Sequence, residues 1–136
     1  MLTEKDYCDK DLSLALKEVG YIGQGRCYYD LDKEPNKLRH FGIQVLTTRS
    51  AEALNFVLAV HLYDAQKFLR EEKHIEVLVY LDDLKGYFPF IRIWEGSWKT
   101  FVNLEEGEMG RVTYYANYEE ALSEGVKCAV KILKDE

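Results

Sequence analysis

The stretch YDAQKFLREEKHIEVLVYLDD, residues 63–83, sets the reading of the whole chain. It opens with a helical period. Together with Leu62, the residues Ala65, Phe68 and Leu69 share one face, while Gln66, Lys67, Arg70, Glu71 and Lys73 take the other. It turns at Lys73-His74. It leaves with the period of a strand: Ile75, Val77, Val79 and Leu81 on one side, Glu76, Leu78 and Tyr80 on the other. The spacing predicts a helix over about 62–73 and a strand over 75–81. Nothing in it has the spacing of a catalytic motif, so its reading is architectural.

Downstream, DDLKG (82–86) has the composition of a hairpin loop, and YFPFIRIW (87–94) returns as a strand. Pro89 has no amide donor and is expected at an edge or a bulge. KTFVNL (99–104) and RVTYYA (111–116), joined by the acidic EEGEMG, extend the antiparallel meander to about 75–116. The closing helix is expected over about 117–134. Asn117 with Glu120 three residues on is a capping pair. Tyr118, Ala121, Leu122, Val126, Ala129, Val130 and Leu133 form its apolar stripe. Glu119 and Glu120 stand at its positive end, Lys131 and Lys134 at its negative end. Gly125 in mid-helix costs about 1 kcal/mol against Ala, which points to close packing on the sheet.

Upstream, Leu12, Ala15, Leu16 and Val19 give a helix over about 9–19, capped by Asp9 or Asp11 and stopped by Gly20. RCYYDL (26–31) reads as a strand, DKEPNK (32–37) as a loop marked by Pro35 and Asn36, and HFGIQVLT (40–47) as a strand. TRSAEALN (48–55) admits a helix capped by Ser50. The following NFVLAV has no polar face, so we read a break at 48–55 and a strand over 55–60. Helices set against an antiparallel meander define an α+β fold, here read as one domain over residues 1–136.

Composition narrows the function classes. The 136 residues are 47% hydrophobic and 31% charged, with 10 Tyr, 6 Phe and 2 Trp, a globular balance. The net charge of −6 speaks against a nucleic-acid partner, and residues 37–104 carry 9 basic against 8 acidic groups rather than a basic stripe. A nucleic-acid accessory role would need Arg39, Arg49, Arg92 and Lys99 gathered on one face. No run of 18 apolar residues spans a bilayer, and the polar N-terminus lacks the apolar core of a signal peptide. Cys8, Cys27 and Cys128 are odd in number and widely spaced, unlike a disulfide framework. The expectation is a cytoplasmic protein.

Two stretches carry a resemblance. YCDKDLSLALKEVGY…CYYD lies in residues 7–30, and LYDAQKFLREEKHIEVLVY…TYYANYEEALSEGVKCAVKIL in residues 62–133. Together, over about two thirds of the chain, they resemble short uncharacterised proteins of prophages and mobile elements of Bacteroides-type bacteria. That family opens its helix with A-Q-K-W-L-R-E and closes with Y-E-E-A-L-E-x-G-I. Here Phe68 stands in the Trp position, and Val60-His61 replaces a Pro-Thr, a better helix cap. The resemblance implies no catalytic residue and no cofactor.

Candidate chemistry is sparse. His40, His61 and His74 form no H-x-x-x-H pair and no C-x-x-C accompanies them, so no metal site is expected. A nucleophilic Cys8 or Cys27 with a histidine base is the enzyme alternative, but neither is flanked by a glycine-rich turn. Cys128 sits beside the apolar stripe of the last helix. The pairs Asp82-Asp83, Glu71-Glu72, Glu105-Glu106 and Glu119-Glu120 are adjacent on turns or helix ends, where solvation explains them. GYIGQG (20–25) follows a helix, the wrong context for a dinucleotide loop.

The anomaly is GYFPFIRIWEGSWKTF, residues 86–101. Tyr87, Phe88, Phe90, Trp94, Trp98 and Phe101 make both faces of this hairpin apolar. One face is expected under the helices. The other, carrying some of Tyr87, Trp94 and Trp98, is the candidate interface, for a second copy in a homodimer or for another protein.

Overall fold

The computed structural model describes residues 4–33, 37–42, 44–102 and 113–135. The chain divides into two compact units, Met1–His61 and Leu62–Glu136. Four α-helices and three antiparallel sheets among the described residues make the fold α+β.

After a 3-10 turn at Glu4–Asp6, the first unit runs α1 (Lys10–Glu18), β1 (Gln24–Gly25), β2 (Cys27–Asp30), β3 (Arg39–His40), β4 (Leu46–Thr47), α2 (Thr48–Ala53) and β5 (Phe56–Leu58). Asp9 caps α1, its carboxylate accepting from the Leu12 amide at 2.8 Å, and Gly20 stops it at φ +105°. β2 is the centre of a three-stranded sheet between β3 and β5. Cys27 lies opposite His40, and Tyr29 opposite Val57. The buried Ser13 joins helix to sheet: its hydroxyl donates to the Cys8 carbonyl and accepts from the Val60 amide. The Cys8 amide donates to the Val60 carbonyl at 2.7 Å.

Two expectations for this unit are corrected. Residues 48–53 are helix, not a break. The cap is Thr47 rather than Ser50. Thr47 Oγ1 accepts from the Ser50 amide, and Ser50 Oγ accepts from the Thr47 amide, a complete capping box. The helix then stops before Asn55, which takes φ +59° and frees Phe56 to begin β5. The expected single strand over 40–47 is two short ones. β3 ends at His40, Gly42 turns the chain at φ +76°, and β4 pairs instead with β1. The loop markers Pro35 and Asn36 lie outside the described residues.

The second unit runs α3 (Leu62–Glu72), β6 (Ile75–Asp82), β7 (Gly86–Trp94), β8 (Trp98–Val102) and α4 (Tyr118–Lys134). The strands form one sheet in the order β6-β7-β8. His74 sits in the left-handed region at φ +58°, which ends α3 and aims β6. Ile75, Val77, Pro89 and Ile91 are buried on one face of the sheet, as are Leu62, Ala65 and Leu69 of α3. Ala121, Leu122, Gly125, Val126, Ala129 and Val130 are buried on α4. Asn117 Oδ1 accepts from the Glu120 amide at 2.9 Å. A Cβ added to Gly125 would lie 2.6 Å from Val77 Cγ1 and 3.0 Å from Pro89 Cβ, the close packing its mid-helix position implied.

Two further corrections belong here. Phe68 and Leu69 share the apolar face and are both expected to be buried; Leu69 is, but Phe68 is half-buried, with Lys73 Nζ 5.9 Å from its ring centroid. Pro89 is neither at an edge strand nor in a bulge, but buried in the central strand. The odd-numbered amides of β7 point away from β6; that of Tyr87 donates to the Tyr115 carbonyl at 3.0 Å. Among the described residues the pairs with β8 run from Phe90 opposite Val102 to Trp94 opposite Trp98. The Pro89 nitrogen, which has no proton to donate, faces away from β6, so the β6–β7 ladder loses no bond there. The expected strand over 111–116 lies partly outside the described residues; within them Tyr115 forms an isolated bridge to Tyr87.

Candidate functional site

Antiparallel register places Trp94 opposite Trp98 at the end of the β7–β8 hairpin. Their rings meet edge to face with centroids 5.2 Å apart. The arrangement is among the favourable ones for aromatic pairs. Both rings remain nearly half exposed, at 46% and 45%. The Arg92 guanidinium carbon lies 4.6 Å from the Trp98 ring centroid, within the range of a cation–π contact. The same guanidinium bonds the Glu76 carboxylate across the strand pair. Its Nε is buried and has no hydrogen-bond partner among the described residues. Beyond the tryptophans, Lys99 and Glu95 pair at 2.8 Å, and that contact raises the ammonium's proton affinity.

Along the same side of β6 and β7, Tyr80 meets Phe90 at 5.4 Å and Phe88 at 5.8 Å, and Phe88 meets Tyr114 at 5.7 Å. Tyr80 is also nearly half exposed. Tyr87 has the opposite parity. It meets Tyr118 of α4 edge to face at 6.2 Å and shares backbone bonds with Tyr115. The structure thus brings Trp94 and Trp98 together and sets Tyr87 apart on the helix-covered side. In the sequence Arg92 stands out only as a basic neighbour. Its place between Glu76 and Trp98 follows from strand parity, which the sequence does display.

In the first unit the register of β2 against β3 creates a second cluster. Cys27 Sγ lies 3.6 Å from His40 Nδ1 and donates to the Tyr7 hydroxyl at 3.6 Å. The sulfur's residue is buried at 4% exposure, within a core of Tyr29, Val57 and Ala59, while His40 is exposed. No spacing in the sequence announces this pair, because thirteen residues and a turn separate its members. Tyr7 also meets His61 edge to face at 5.3 Å. Cys8 is fully buried; desolvation, with Asp9 adding to it, pushes its thiol well up. Tyr29 is pushed up by burial and gives its hydroxyl proton to the Cys8 carbonyl at 2.8 Å.

The remaining candidates resolve into structural roles. His74 is a helix stop whose carbonyl accepts the Trp94 amide at 3.0 Å. Cys128 is half-buried on α4, and none of the three cysteines is in a disulfide. Among the described residues, no group of three His, Cys, Asp or Glu side chains is placed to hold a metal ion. Of the four cations that a nucleic-acid face would require, Arg92 and Lys99 are each paired with a carboxylate. No described helix is long and apolar enough to cross a membrane. Comparison with protein-family models, with curated proteins and with solved structures gives no match.

Proposed function

We propose that this chain works as a small cytoplasmic binding protein, and that its Trp94–Trp98 surface pairs with a second copy of itself. The observation that carries the reading is the exposed, edge-to-face tryptophan pair braced by Arg92. Trp and Arg are enriched among the residues that anchor protein interfaces, and the indole offers a large area on only two rotors. The two indoles are also held before any partner arrives, so little ordering remains to be done on binding.

A second copy fits the charges around the pair. A two-fold interface sets one patch against itself and needs a self-complementary surface. This one carries cation and anion side by side, Arg92 with Glu76 and Lys99 with Glu95. A net basic or net acidic patch would repel its own copy. The cysteines, all outside disulfides, support the cytoplasmic placement. The prophage and mobile-element kinship is proposed on the two motif stretches alone, and a non-catalytic accessory role suits it.

Tryptophan emission tests the reading directly, since the chain's 2 tryptophans both lie at this site. Concentrating the protein should shift emission to the blue as the indoles leave water. An emission maximum unchanged across the concentration range in which pairing is sought would overturn it.

A further inference from the structure

We infer that Cys27, His40 and Tyr7 form a reactive thiol site for a small hydroperoxide, separate from the tryptophan surface. A thiol reacts as its thiolate, so a nucleophilic cysteine needs a base within reach. His40 Nδ1 stands 3.6 Å from Cys27 Sγ and is the ring atom that would take the proton. Its neighbour relation is set by backbone register, Cys27 opposite His40, and not by a chance rotamer. The Tyr7 hydroxyl touches the sulfur from another element and accepts the thiol's hydrogen bond at 3.6 Å. Peroxide reduction by a thiol needs a thiolate and a proton for the leaving hydroxide, and Cys27 with His40 can supply both.

Burial selects the substrate class. The Cys27 residue is only 4% exposed, while its histidine partner opens to solvent. Such burial favours an electrophile as small as hydrogen peroxide over a bulky one. In the step, the sulfur attacks one peroxide oxygen, the O–O bond breaks and an S–O bond forms. The proton held by His40 goes to the departing hydroxide, which leaves as water. Sulfur is oxidised to the sulfenic acid and the peroxide is reduced.

The chain supplies its own control. Cys8 is fully buried, and desolvation raises its thiol and favours the protonated form. Hydrogen peroxide added to the full chain, followed by peptide-resolved mass spectrometry, should show Cys27 gaining one oxygen well before Cys8. His40→Ala should slow that gain by about a hundredfold, the low end of what a positioned base provides. His40→Gln, which keeps bulk and polarity, should slow it as well, with the far-UV spectrum unchanged. If Cys27 is oxidised no faster than Cys8 in the unaltered chain, the site is a packed thiol and the inference fails. Equal rates in folded His40→Gln and wild type would overturn the role of the imidazole.

Discussion

Gly125 of α4 meets Val77 of β6 at a separation that leaves no room for a side chain: an added Cβ would fall 2.6 Å from Val77 Cγ1. Helix propensity alone favours alanine there by about 1 kcal/mol. The overlap outweighs it, because forcing a methyl into a packed core costs about 1–3 kcal/mol. Gly125→Ala is expected to lower the denaturant midpoint. A raised midpoint would show that α4 can move off the sheet freely.

Leu69 and Phe68 separate by burial. Leu69→Ala, at a fully buried position, should cost about 2–5 kcal/mol. The half-buried Phe68 should lose less on truncation, although its side chain is larger. Chemical denaturation of the two variants orders them; the reverse order would place Phe68 in the core.

His74 carries a backbone strain for ending α3 at φ +58°. His74→Gly removes it and should leave stability unchanged or slightly higher. His74→Val puts a β-branched residue in the left-handed region and should cost at least about 1–2 kcal/mol. Thermal melts of the two variants, read against wild type, decide this.

Stability should fall in alkali, and the sign follows from Cys8. Burial raises its thiol from the ordinary value of 9.0, so the native state keeps a proton that the unfolded chain releases. Stability due to that proton is complete below about 9.0 and declines as pH rises beyond it. Tyr29, also pushed up by burial, adds to the same decline at higher pH. Cys8→Ala should flatten the alkaline limb of a pH–stability curve; an unchanged limb would mean the thiol is not desolvated.

Most of the second unit is legible because its signals are local. The parity of Ile75, Val77 and Val79, the stripe of α4, the Asn117 cap and the demand of Gly125 for close contact are each written in neighbouring residues. The first unit is harder, because its elements are too short to show a period. β3 and β4 have two residues each, and α2 is recognised by a Thr47–Ser50 capping box rather than by an apolar face. Pro89 misleads for a physical reason: its rule concerns the missing donor, and alternation turns the Pro89 nitrogen away from β6, so that ladder runs on unbroken. The aromatic surplus is visible as composition. That Tyr87 parts from Trp94 and Trp98 follows from alternation, whereas the pairing of Cys27 with His40 is a product of long-range register.

Whether the tryptophan surface pairs two copies is settled by sedimentation velocity of wild type and of Trp98→Glu. Trp98 is 45% exposed, so a carboxylate there should leave the monomer's melting midpoint nearly unchanged while placing like charges together in a two-fold interface. Wild type should form a concentration-dependent dimer, and Trp98→Glu should stay a monomer at every concentration. A wild type that stays monomeric at high concentration, or a Trp98→Glu variant that dimerises as well as wild type, would contradict the pairing.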